Sequence, residues 1–210
     1  MAARPLLIGV VAIVAFAVGL FVARTLLRPT AGVEPPTRAT LFPEPRPLPA
    51  IALTDQDGRA LDAGFFAGHW TLVFFGFTQC PDVCPTTLAA LARTKAALED
   101  LPPAQRPRVL LVSVDPERDR PAILAGYVRF FDPSFLAATG ESAAIATVAA
   151  GFGVPYAKVA LSADAYTVDH GSGIFVVGPG GITAYSSAPH DATVLAHDYR
   201  LIVARHGTGR

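Results

Sequence analysis

The only two cysteines of this 210-residue chain lie in Cys80-Pro81-Asp82-Val83-Cys84. If this segment opens a helix, residues four apart face the same side with Cβ atoms about 5–6 Å apart, so both sulfurs can reach one metal. A helix N-terminus also carries roughly half a positive charge, which favours thiolate over thiol. Far along the chain, Tyr166-Thr167-Val168-Asp169-His170 ends a predicted strand in a histidine. Two thiolates select Cu(I), and an added imidazole lets the same site hold Cu(II). Cys80, Cys84 and His170 are therefore the candidate copper ligands. Met1 is the sole methionine, so ligation by a long axial methionine or a methionine cluster is excluded. Structural zinc wants four protein ligands, and His69, His190, His197 and His206 offer no obvious fourth. The cysteines alone would support thiol–disulfide exchange as a redox-active pair. The plain alternatives are a local disulfide, two buried thiols, and a hydrogen-bonded histidine at a strand end.

These residues need elements to hold them. Trp70 to Phe77 (WTLVFFGF) is a continuous apolar run rich in aromatic and β-branched types, as a buried central strand requires. Pro85 to Leu101 reads as a helix, Arg108 to Val114 as a second buried strand, and Pro121 to Phe131 as a helix with Asp119 a plausible cap. Ser142 to Phe152 follows as a short helix. Ile51 to Leu53 and Arg59 to Leu61 flank Asp57-Gly58, a hairpin signal. Tyr166 to His170 and Ile174 to Val177 read as strands, with Ile182 to Tyr185 pairing back across a glycine-rich turn. Pro189 to Arg205 reads as the last helix, with His190 and His197 on one solvated face. Asp169 falls on the opposite strand face from His170. Asp82 and Asp115 are candidates either for orienting the site loop or for capping and turn formation. This order, a βαβ unit followed by an antiparallel hairpin and a final helix, is the thioredoxin-like α/β arrangement: a central mixed sheet flanked by helices.

Ahead of the domain, Leu6 to Ala23 is an unbroken apolar run close to the ~20 residues that cross a bilayer. The expected organisation is a short tail (1–5), a transmembrane anchor (6–23), a Pro-rich linker (24–47) and one thioredoxin-like copper-binding domain (48–206). Arg24 and Arg28 outnumber Arg4, which by the positive-inside rule favours a cytoplasmic domain. The cysteine chemistry argues for the opposite side. Lys and Arg total 17, Asp and Glu 17, and no basic tract tracks a phosphate backbone, so nucleic acid is excluded as an expected partner.

The stretches Trp70 to Leu88 (WTLVFFGFTQCPDVCPTTL), Ser113 to Asp119 (SVDPERD) and Tyr166 to His170 (YTVDH) resemble the Sco/SenC family of copper-binding, thioredoxin-like proteins. The resemblance implies copper held by Cys80, Cys84 and His170. It implies delivery of copper to the binuclear site of cytochrome c oxidase subunit II, or reduction of that site's thiols, with other copper carriers as further partners. It implies a single-pass protein of the bacterial inner membrane facing the periplasm, or of the mitochondrial inner membrane facing the intermembrane space. The chain departs from many relatives at Gln79, where they carry His, and at Gly171, where they carry Ser or Thr. A peroxiredoxin-like peroxidase fits poorly, because Thr78 stands two residues before Cys80 and Phe77 occupies the position three before it.

Overall fold

The computed structural model describes residues 13–20 and 35–206. The chain divides into two units, Met1–Pro35 and Pro36–Arg210. In the first, residues 13–20 are helical. Among the described residues, no helix is long and apolar enough to cross a membrane. The anchor expected over 6–23, and the linker as far as residue 34, lie largely outside the described residues.

The second unit is built on one eight-stranded sheet. Its strands are β1 (Ala39–Arg46), β2 (Leu53–Asp55), β3 (Ala60–Leu61), β4 (Thr71–Gly76), β5 (Arg108–Ser113), β6 (Leu136–Thr139), β9 (Ile174–Gly178) and β10 (Gly181–Ser186). The spatial order is β1-β10-β9-β4-β5-β6-β2-β3. Strand β4 is buried at every position. It runs parallel to β5, in register from Thr71↔Arg108 to Gly76↔Ser113, and antiparallel to β9. A strand flanked and covered this way has no wet face, which explains the lack of polar alternation in its sequence.

Helices α1 (Val83–Ala97), α2 (Pro121–Phe131), α3 (Ser142–Phe152) and α4 (Ala192–His206) connect and cover the sheet. Helix α1 joins β4 to β5 as a crossover and buries Cys84, Leu88 and Leu91; each such leucine contributes about 1.5–3 kcal/mol on leaving water. Phe152 of α3 meets Phe75 of β4 at 5.3 Å and Phe175 of β9 at 5.2 Å. Trp70 and Tyr199 of α4 meet edge-on at 6.1 Å. Strands β4, β5, β9 and β10 with α1 and α4 form the expected thioredoxin-like core. Strands β7 (Tyr156–Ser162) and β8 (Ala165–His170) form a separate two-stranded sheet.

Several sequence expectations shift. Residues 39–46, read as linker, form β1 and pair with β10 at Ala39↔Ser186. This strand is at the sheet edge, where prolines such as Pro43 and Pro45 leave no ladder bond unmade. Helix α1 begins at Val83, so Cys80 lies in the turn before it. Helix α4 begins at Ala192, so His190 lies ahead of it. Asp119 does not cap α2, whose N-cap is Arg120 with no side-chain cap bond.

Candidate metal centre

Strand β4 delivers the chain to the cysteine turn, and α1 carries it away. Cys84 is buried in the first turn of α1, and Cys80 is half-buried in the turn ahead of it. The Cys84 backbone N–H donates to Cys80 Sγ at 3.3 Å. His170, at the end of β8, brings Nε2 to 3.5 Å from Cys84 Sγ. The two sulfurs and an imidazole nitrogen all lie within 4.8 Å of one another. This is the one group of three or more metal-capable side chains found among the described residues, and it contains no fourth donor. Two soft thiolates plus one imidazole fit copper better than structural zinc, in agreement with the cofactor expected from the sequence.

The imidazole is oriented from three sides. Nδ1 lies 3.0 Å from the Gly171 carbonyl oxygen. A carbonyl only accepts, so Nδ1 carries the proton in this contact, which leaves Nε2 as the ring nitrogen facing Cys84. The rings of Phe77 and Phe74 flank it edge-on at 5.7 and 6.1 Å.

Burial sets the electrostatics of Cys84. It pushes the thiol far above its ordinary value, outweighing a backbone hydrogen bond at Phe77 that acts in the opposite direction. At Cys84 burial thus opposes the thiolate preference expected from the helix N-terminus, because the sulfur sits in the core. A bound cation would reverse this balance, since metal ligation deprotonates a thiol.

The SVDPERD segment braces the cysteine turn. Asp119 is fully buried and accepts from the Thr78 N–H at 3.0 Å, Thr78 Oγ1 at 2.5 Å and Ser113 Oγ at 2.6 Å. Burial raises its pKa against the pull of these donors. Asp115, also buried, accepts from Tyr166 OH at 2.8 Å and pairs with Arg118 Nε. Both readings left open for Asp115 hold: its side chain orients the site loop, and its carbonyl forms the turn by accepting from the Arg118 and Asp119 N–H groups at 3.2 and 2.9 Å. Asp82 acts through its backbone: its carbonyl accepts from the Thr86 N–H and hydroxyl, and its side chain makes no cap bond to the helix. Asp169 is exposed, on the face opposite His170.

Gly76 and His190 support the site in ways the sequence did not assign to them. A Cβ on Gly76 would lie 2.8 Å from Cys84 Sγ, so that glycine makes room for the sulfur. Its signal was present: a lone glycine inside a strand of bulky residues marks a close approach. His190, assigned to a solvated helix face, instead places Nε2 at 2.8 Å from the Ser172 carbonyl oxygen, bracing the loop after His170. No spacing pattern could reveal that contact, because it joins two loops.

A thioredoxin-like domain with one cysteine in the turn before its first core helix, a second in that helix's first turn, and a histidine delivered by an added hairpin, defines a narrow class. The SCO1/SenC family profile matches residues 48–202, and the chain belongs to this family. It is 38% identical over 155 residues to the mitochondrial SCO2 homolog of Bos taurus; that match covers 71% of this chain and 57% of the bovine protein. The chain thus spans little more than half the length of that relative. Among solved structures it is similar to the apo Sco1 protein of Thermus thermophilus, with 38% identity, a TM-score of 0.68 and coverage of 79% of this chain and 95% of that one. It is also similar to Bradyrhizobium japonicum ScoI with copper bound, with 34% identity, a TM-score of 0.65 and coverage of 73% and 98%.

Proposed function

We propose that this chain is a copper carrier that binds one copper ion through Cys80, Cys84 and His170 and hands it to the binuclear copper site of cytochrome c oxidase subunit II. The observation that carries this reading is the convergence of two sulfurs and one imidazole nitrogen within 4.8 Å, supplied by two separate parts of the fold. Similarity to a copper-bound ScoI and membership of the SCO1/SenC family support copper as the cargo. Three donors leave a position open to an incoming ligand, and Cys80 is accessible from solvent. Thiols of the acceptor can therefore replace Cys80 first and the buried Cys84 last. The apolar run at 6–23 would anchor the protein in a membrane, with the domain on the periplasmic or intermembrane-space side.

The half-exposed Cys80 supports a second reading. With the Cys84 N–H aimed at its sulfur, Cys80 is placed to attack an acceptor disulfide. Cys84 would then resolve the mixed disulfide, leaving Cys80–Cys84 oxidised and the acceptor reduced by two electrons. An external dithiol would have to restore the pair. His170 has no necessary part in this exchange.

Copper titration of the full chain, followed by mixing with metal-free subunit II, separates the two. Cys80→Ser, Cys84→Ser and His170→Ala should each lower Cu(II) binding and stop transfer. Stoichiometric copper binding retained in all three variants would end the carrier reading. Disulfide reduction retained in His170→Ala, with copper transfer lost, would show that exchange chemistry is independent of the metal site.

A further inference from the structure

The hairpin that carries His170 is tied to the rest of the domain by side chains, among them buried Val168 and the Lys158–Glu117 pair, and not by the main sheet. Strands β7 and β8 pair only with each other, and an isolated two-stranded hairpin is at best marginally stable in water. Strand β7 is exposed along all but its first residue, and β8 buries only Val168. Yet His170 must meet Cys84 to within a few tenths of an ångström for both to hold one metal.

We propose that Arg118 is a positioning residue for the His170 donor, a clamp that fixes the hairpin to the cysteine turn. It rests on the ligand set proposed above. The Arg118 guanidinium lies over the Tyr166 ring at 3.8 Å and near the Phe77 ring at 5.7 Å. Its Nη1 donates to the Tyr166 carbonyl at 3.0 Å and to Gln79 Oε1 at 3.0 Å. Its Nε pairs with buried Asp115, which itself accepts from Tyr166 OH at 2.8 Å. Asp115 is anchored in turn by its N–H donating to Ser113 Oγ at 3.1 Å. Gln79 directly precedes Cys80. Tyr166, Val168 and His170 share one face of β8, since strand side chains alternate. One planar cation thus spans the segment bearing the first sulfur and the segment bearing the imidazole. Gln79 supplies one of its acceptors. Lysine offers a point charge without the planar fork and cannot make these contacts together.

The consequence is selective for oxidation state. Cu(I) is satisfied by the two thiolates on the cysteine turn, whereas Cu(II) needs the imidazole. In full-length Arg118→Ala and Arg118→Lys, Cu(II) affinity should fall about 10- to 100-fold, the usual effect of removing a ligand-orienting partner, with Cu(I) affinity changed less than about threefold. The sulfur-to-Cu(II) charge-transfer absorption should shift with it. In the metal-free variants, nuclear Overhauser contacts between the His170 ring and the Cys84 side chain should disappear. Tyr166→Leu, which removes the stacking surface and leaves the Arg118–Asp115 pair intact, gives the same readouts if Arg118→Ala does not fold. A Cu(II)-to-Cu(I) affinity ratio within about threefold of the parent, whether both affinities fall or neither does, overturns the proposal. A parent chain that binds no copper contradicts the ligand set instead, and the metal-free contacts then judge the clamp alone.

Discussion

A methyl group on Gly76 would lie 2.8 Å from Cys84 Sγ, 2.9 Å from a Phe74 ring carbon and 3.3 Å from Leu111 Cδ1. None of these atoms can retreat freely, because Cys84, Phe74 and Leu111 are all fully buried. Gly76→Ala should therefore cost about 1–3 kcal/mol of stability, as overpacking does. It should also displace the sulfur and weaken copper binding in a chain that still folds. Urea unfolding together with copper titration checks this; unchanged stability and affinity would mean the close approach is illusory. The two cysteines and His170 were legible because thiol and imidazole are chemically rare and their flanking residues distinctive. The support of His170 was less legible. Gly171, Ser172 and His190 act through a short local bond and a bond between loops, and neither leaves a periodic trace.

Among the elements, β4, β5 and the helices were readable because burial on two faces or one stripe imposes an apolar pattern. The β6 and β7 strands were not. Leu136–Thr139 contains two alanines, which carry little strand preference, and its place in the sheet comes from pairing with β5 and β2. Tyr156–Ser162 faces solvent over nearly its whole length, so it shows no alternation, and it is a strand because β8 pairs with it from Tyr156↔His170 onward. The loop between β8 and β9 has a pH-sensitive brace. His190 Nε2 carries its proton toward the Ser172 carbonyl, its Nδ1 is buried without a partner, and burial lowers its pKa. Over the interval from its ordinary value near 6.5 down to that lowered value, the unfolded chain binds the extra proton and the folded chain does not. This group's contribution is therefore present above about pH 6.5 and is lost as pH falls. Buried Asp119, whose pKa is raised, acts with the opposite sign: its contribution is lost as pH rises from the ordinary carboxylate range. The urea midpoint should drop more between about pH 7.5 and about pH 5.5 in the parent than in His190→Gln. Equal drops would remove His190 as the source.

At the scale of the whole molecule, a common sheet and an added hairpin divide the work. Strand β4 and helix α1 fix the sulfurs on a rigid core, while the hairpin and its braces bring in the imidazole. The donor set is complete only when both parts fold, so metal binding and folding are linked, and copper should stabilise the domain in proportion to its binding. With 17 basic against 17 acidic residues, the chain has no net charge to set up a long-range field. X-ray absorption of the Cu(II)-loaded full-length chain tests the central claim most directly. One copper per chain with two sulfur neighbours and one nitrogen neighbour, the nitrogen vanishing in His170→Ala, is the result this structure requires. A copper environment without both sulfurs, or one unaltered by loss of the imidazole, would contradict it.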